Sequence, residues 1–184
     1  MPTKAFVENL VSHWKEDPNL QETPERIERM YREELFKNVD KEFTDWKAFP
    51  NEKGYNQLIV FDRIFFSSTC SHHFVPFTGF AYIAYIPGDY LVGASKPMRA
   101  VEHYAARPQI QENLCHEVLQ SFTEAAKPIG AAVIMKASHM CVVGRGAKQP
   151  TSKMVTSALF GKCFEDKVKW EIFELIKLQG GLHD

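Results

Sequence analysis

Residues 57–86 read QLIVFDRIFFSSTCSHHFVPFTGFAYIAYI. Two runs within them, Leu58–Ser68 and Gly79–Ile86, are rich in β-branched and aromatic residues, which fit the pleated surface of a strand. Between the runs lie Cys70, His72 and His73, side chains that ligate metals and move protons. The stretch predicts a hairpin with chemistry at its turn. Pro87-Gly88-Asp89 closes the second strand, and a short extended piece, Tyr90–Gly93, follows.

Upstream, Val7, Leu10, Val11 and Trp14 recur three or four apart, the stripe of an amphipathic helix. Asp17-Pro18-Asn19 ends it, and Thr23-Pro24 reads as an N-cap followed by proline at the first helical position. Ile27, Met30, Tyr31 and Leu35 give a second helix its apolar face, so residues 1–37 form an N-terminal helical pair. Residues 37–56 are polar and read as a loop. Downstream, 97–106 and 108–127 are helical, the second with Leu114, Val118, Leu119, Phe122 and Ala126 on one face. Ala131–Ala137 and Thr151–Phe164 are strands, and Lys167–Lys177 is a final helix. Segregated helices and strands of this kind argue for an α+β fold.

The chain has 184 residues and a mass of 21.1 kDa, the size of one domain, so residues 1–184 are read as a single unit with its core over 57–178. With 45% hydrophobic and 24% charged residues, wholesale disorder is excluded. The 22 basic and 23 acidic residues nearly cancel, which argues against a general nucleic-acid binder. No apolar run approaches the roughly 20 residues of a membrane span, and the N-terminus lacks a signal-peptide core. The expectation is a cytoplasmic protein without membrane or nucleic-acid partners. There its four cysteines are free thiols or metal ligands rather than a disulfide framework.

Cys70 and His73 form a C-x-x-H pair, a spacing that lets two side chains reach one metal from a tight turn. His139-Met140-Cys141 supplies a second Cys with a His two residues away. The competing reading makes Cys70 a core residue and the histidines surface groups. Cys115 and Cys163 read as buried small apolar residues, which leaves Cys70, His73 and Cys141 as three ligands. Three protein ligands plus water is the pattern of catalytic rather than structural zinc. His72 and His139 then stand beside the metal as proton-transfer groups, which suggests hydrolysis at an electrophilic carbon. A second constellation is cationic. Ser95, Lys96 and Arg99 cluster at a helix start and Arg145 follows Cys141, a set that suits a polyphosphate or, alternatively, a solvated basic surface. Gln111-Glu112 could read a purine edge, or could simply be helix formers.

Four blocks then resemble one family in order and spacing: SSTCSHHFVPFTGFAYIAYIP, VGASKPMR, RPQIQENL and HMCVVGRG, preceded by DPNLQETPERIERMY. Together they resemble GTP cyclohydrolase I over about residues 15–178. The resemblance implies a tunnelling fold, in which an antiparallel sheet carries helices on one face and sheets join between subunits into a barrel. It implies a homo-oligomer, typically a decameric toroid with interfacial active sites. The implied reaction is zinc-dependent hydrolysis of GTP to 7,8-dihydroneopterin triphosphate and formate, by imidazole ring opening, Amadori rearrangement and ring closure. Folate, biopterin and deazapurine synthesis all begin from that product. By position, Cys70, His73 and Cys141 match the ligands of one zinc per subunit, and His72 and His139 match the proton-transfer histidines. Ser95, Lys96, Arg99 and Arg145 match triphosphate contacts, and Gln111 with Glu112 matches the guanine-reading pair. The sequence departs from the family in three places. Ser71 stands where Glu is usual, residues 146–150 replace a different polar loop, and the N-terminal extension is short. Two alternatives remain: a related tunnelling-fold enzyme acting on a pterin or deazaguanine, and a non-catalytic zinc-stabilised nucleotide-binding oligomer.

Overall fold

The computed structural model describes residues 4–14 and 16–178, so residues 1–3, 15 and 179–184 of the expected domain lie outside it. Helix α1 spans Lys4–Leu10 and gives way to a 3-10 turn over Ser12–Trp14. The α-helical period therefore stops before the predicted stripe is complete. Val7 is buried, whereas Leu10 and Trp14 are exposed. Helix α2, Thr23–Arg29, continues as a π-helical turn over Met30–Leu35. Glu22, not Thr23, occupies its N-cap position. Pro24 is accommodated because the N–H it lacks would have no helical partner in the first turn.

The expected loop 37–56 contains a strand, β1 (Ala48–Pro50). Next come β2 (Ile59–Cys70), β3 (Pro76–Ile86) and β4 (Tyr90–Val92), with β1 and β4 paired as a separate antiparallel ribbon. Helix α3 (Lys96–Ala105) leads through β5 (Pro108–Gln109) into α4 (Gln111–Ala126), so the predicted helix start at 108 is in fact a two-residue strand. Strand β6 (Gly130–His139) runs into the short helix α5 (Met140–Val143). Strand β7 (Met154–Gly161) is shorter than the predicted 151–164 because a 3-10 turn takes up Lys162–Phe164, and α6 (Asp166–Leu178) follows. The main sheet has the order β5-β2-β3-β6-β7, antiparallel except for the β2/β5 pair.

One irregularity decides which side of this sheet the chemistry faces. In β2 the pairing runs Phe61↔Ile83 and then Ile64↔Ala81, so β2 carries one extra residue there. Arg63 sits in this bulge with φ 45°, the left-handed region. Side chains alternate along a strand, so the extra residue reverses the alternation beyond it. Before the bulge, Ile59 and Phe61 pack towards the main core; after it, Ile64, Phe66 and Cys70 do. Phe65 is left 63% exposed on the other side while Phe66 is 2% exposed.

Helices α3 and α4 cover one face of the sheet. Val101, Tyr104, Leu114, Val118 and Phe122 pack there against Phe77, Ala81, Ile83 and Tyr85 of β3 and against Val133 and Met135 of β6. The expectation of helices on one face holds for this pair, but α6 takes the opposite face. Its Ile172 and Ile176 join Tyr82, Ala84, Ala132 and Ile134 in a second cluster. Strands β3 and β6 are thus buried on both sides, which is why their sequences are apolar without alternation. At Gly79 the strands approach so closely that a Cβ would lie 2.0 Å from the Lys136 carbonyl oxygen.

Candidate active site

Three strand ends meet at one end of the sheet. The end of β2 holds Cys70, whose N–H donates to the Val75 carbonyl and whose carbonyl accepts from the Phe74 N–H. These bonds close the tight turn that carries His72 and His73, with Phe74 in the left-handed region at φ 52°. The Tyr31 hydroxyl donates to the Phe74 carbonyl, so the N-terminal helices brace the turn. On the neighbouring strands Phe77 and His139 are paired in register, and their rings stack 4.6 Å apart and 4° from parallel. Two residues on, α5 delivers Cys141.

The ligand atoms of Cys70, His73 and Cys141 all lie within 4.8 Å of one another. Cys70 Sγ is 4.0 Å from His73 Nδ1, close to the ~3.5–3.8 Å separations that zinc bond lengths imply for a tetrahedral site. Burial first, and then the neighbouring Cys70, push the Cys141 thiol up, and Arg145 partly offsets them. Two thiols held side by side ionise together only if a cation shares their charge. The donor set therefore fits a borderline-soft metal such as zinc. His72 Nδ1 stands 3.9 Å from the Cys70 sulfur. Ser71, the departure beside this group, is exposed, and its N–H donates to the Gln109 carbonyl.

His139 is held more firmly. Gln111 is fully buried, and its Nε2 lies 3.0 Å from the Met135 carbonyl, 3.2 Å from the Met154 carbonyl and 3.0 Å from Thr156 Oγ1. An array of acceptors fixes which end of the carboxamide is nitrogen. Its Oε1 therefore faces His139 Nε2, 2.9 Å away. A carboxamide oxygen only accepts, so His139 Nε2 carries the hydrogen and the neutral ring keeps its lone pair on Nδ1. Burial, opposed in part by Glu112, lowers the pKa of this imidazole and keeps it neutral. Gln111, expected from the sequence to read substrate with Glu112, is buried and bonded to His139, while Glu112 beside it is exposed. The sequence reading missed this bond and the Phe77 stack, because both depend on the β3/β6/β7 register.

Ser95 stands at the N-cap position of α3 without a side-chain capping bond, and the next turn presents Lys96 and Arg99. Both cations reach the same carboxylate: Lys96 Nζ lies 2.7 Å and Arg99 Nη1 2.9 Å from Asp45 Oδ2. Among the described residues, no hydrogen bond or ion pair joins this group to Cys70, His73 or Cys141. Lys96 and Arg99 are thus joined to each other through Asp45, and Arg145 acts on the Cys141 thiol. Asp45 carries no signal in the sequence, since its partners lie some fifty residues away.

Fold and site together define an α+β chain equipped to hold a metal on two thiolates and an imidazole, beside an oriented proton acceptor. Residues 3–177 match the family model described as GTP cyclohydrolase I, and the chain belongs to that family. A protein of Dehalococcoides mccartyi named GTP cyclohydrolase 1 is 38% identical over 183 residues, 96% of each chain. Proteins of the same name from Aquifex aeolicus and Streptococcus suis are 40% and 41% identical, over 88% and 83% of each chain. Among solved structures, an archaeosine synthase QueF-Like in the apo form aligns with a TM-score of 0.48 and 17% identity, covering 56% of this chain and 93% of that one. Among the described residues, no helix is long and apolar enough to cross a membrane.

Proposed function

We propose that this chain hydrolyses GTP to 7,8-dihydroneopterin triphosphate and formate in the cytoplasm, as one subunit of a ring-shaped homo-oligomer. The observation that carries the reading is the convergence of Cys70, His73 and Cys141 at the strand ends that also present His139 with Nδ1 free. Cys70, His73 and Cys141 would hold one zinc ion per subunit. Zinc bound there would lower the pKa of its water to about 7 and polarise a carbon–oxygen bond. His139 takes a proton at Nδ1 as ring opening proceeds, and the Gln111 carboxamide accepts from the opposite nitrogen, keeping the imidazole in that tautomer. His72, exposed beside Cys70, is the second proton carrier. Glu112 offers a carboxylate to the N–H edge of guanine. Ser95, Lys96, Arg99 and Arg145 take the triphosphate, the two arginines by paired hydrogen bonds.

Among the described residues, β7 ends the sheet on one side, and on the other β5 pairs with only Thr69 and Cys70 of β2. Joining such edges into a closed barrel, with ten subunits in the full ring, removes an aggregation hazard.

The test is incubation of purified protein with GTP, scoring formate and the pterin fluorescence that develops after oxidation. Cys141→Ala is expected to lose both metal and turnover. His139→Ala is expected to keep the metal and slow about 10²–10⁴-fold. Full metal content and full rate in Cys141→Ala would refute the ligand assignment.

A further inference from the structure

The loop that carries Asp45 is fastened on both sides of it. Before it, the Phe43 N–H reaches the Tyr104 hydroxyl at 3.4 Å, and Tyr104 donates to Glu42 at 3.0 Å. After it, the Trp46 indole N–H donates to Ser121 Oγ at 2.8 Å, and the Lys47 carbonyl accepts from the Gly93 N–H at 3.0 Å. Phe43 and Trp46 also pack edge to face, 5.0 Å apart. The backbone at Asp45 is therefore docked on α3, α4 and β4, and only its side chain is free to turn.

What that side chain meets is uneven. The Lys96 side chain is 11% exposed, that of Asp45 47% and that of Arg99 60%. A mostly buried ammonium needs a counter-charge, and one carboxylate oxygen serves both cations. The Lys96 ammonium first, and the Arg99 guanidinium second, hold the Asp45 carboxyl below the usual carboxylate range, so it stays ionised.

We infer that Asp45 is a built-in competitor for the phosphate anion that Lys96 and Arg99 bind, and so sets the affinity of this half of the site. This deepens the function proposed above and rests on the assignment of Lys96 and Arg99 to the triphosphate. A phosphate that approaches the two cations meets a fixed carboxylate of its own sign already bonded to both. It must turn that side chain away or accept its repulsion, and either lowers net affinity. Anions too weakly charged to displace the carboxylate are turned away. In the unliganded protein the same contact holds the Lys96 ammonium in place, so release of Asp45 and capture of phosphate are one exchange.

Calorimetric titration of the full chain with inorganic triphosphate at low salt tests this. Asp45→Asn and Asp45→Ser both remove the charge and are expected to bind about tenfold more tightly than wild type, since hydrogen bonds to charged groups are the strong ones. Asp45→Glu restores a carboxylate and should return affinity towards the wild-type value. Lys96→Ala and Arg99→Ala report on the underlying assignment, and each should weaken binding. If those two weaken binding while both neutral Asp45 variants leave it unchanged or weaken it as well, Asp45 only positions the cations and the inference is overturned. If neither Lys96→Ala nor Arg99→Ala alters binding, the assignment itself fails and the inference fails with it.

Discussion

Gln111 commits both ends of its side chain to the protein, three acceptors for its nitrogen and His139 for its oxygen. Gln111→Ala leaves those groups without partners in a dry interior, which costs about 1–3 kcal/mol for such a group. We expect urea unfolding to show a loss of that order. We also expect turnover to fall roughly tenfold or more with metal content retained, because the imidazole is no longer held to one tautomer. Unchanged turnover in a folded, metal-loaded variant would show that His139 needs no such partner. The unused thiols give a second prediction at this scale. Burial raises Cys115 and Cys163 from 9.0 to about 11. The unfolded chain therefore releases these protons first as pH rises. Stability is fully present below pH 9 and is lost progressively between 9 and 11. The urea midpoint should fall over that window, and fall less in a Cys115→Ala, Cys163→Ala double variant. Equal slopes in the two proteins would rule the thiols out as the source.

At the scale of elements, the bulge at Arg63 governs which face of β2 points to the core. Phe66→Ala should cost about 3–5 kcal/mol, and Phe65→Ala far less, because only Phe66 is in the core. A larger loss in Phe65→Ala than in Phe66→Ala on urea unfolding would mean that the strand alternates without interruption. The sequence shows both long strands through their composition, and the buried face of α4 through Leu114, Val118 and Phe122 at helical spacing. It does not show the bulge, since apolar residues stand on both faces of VFDRIFF and fit either parity. It does not show β1, whose three residues are too few for a period and find their partners some forty positions away in β4. The metal trio was legible because ligand chemistry is carried by residue type. The bond between Gln111 and His139 was not, since it depends on the strand register that brings His139 over α4.

Across the whole molecule, apolar side chains remain outside at both ends of the sequence. Phe6, Leu10 and Trp14 are exposed on the N-terminal helical segment, Val155 and Phe160 on the edge strand β7, and Trp170 and Phe173 on α6. Patches of this kind mark surfaces that other chains cover. Under the proposed ring assembly, removing residues 1–20 should lower the mass seen by light scattering and lower activity with it, since it takes away α1, which packs on α2, and the continuation of α2 braces the turn of His72 and His73 through Tyr31. A fully active 21.1 kDa monomer of the intact chain would contradict the assembly.

The way the Asp45 loop is fastened also has an optical side. Of the chain's three tryptophans, Trp14 and Trp170 are exposed on the single chain, on the surfaces that assembly would cover. Trp46 instead sits edge-on to Phe43 at 5.0 Å and to Phe122 at 5.6 Å, with its indole N–H tied to Ser121. Trp46, partly buried and packed against two rings, is thus in surroundings unlike those of the other two. That ring is one peptide unit from Asp45. A carboxylate that swings away from Lys96 alters the electric field across this indole, and so its emission. With Trp14 and Trp170 replaced by phenylalanine, the remaining light comes from the loop alone, and the protein reports its own anion exchange without a label.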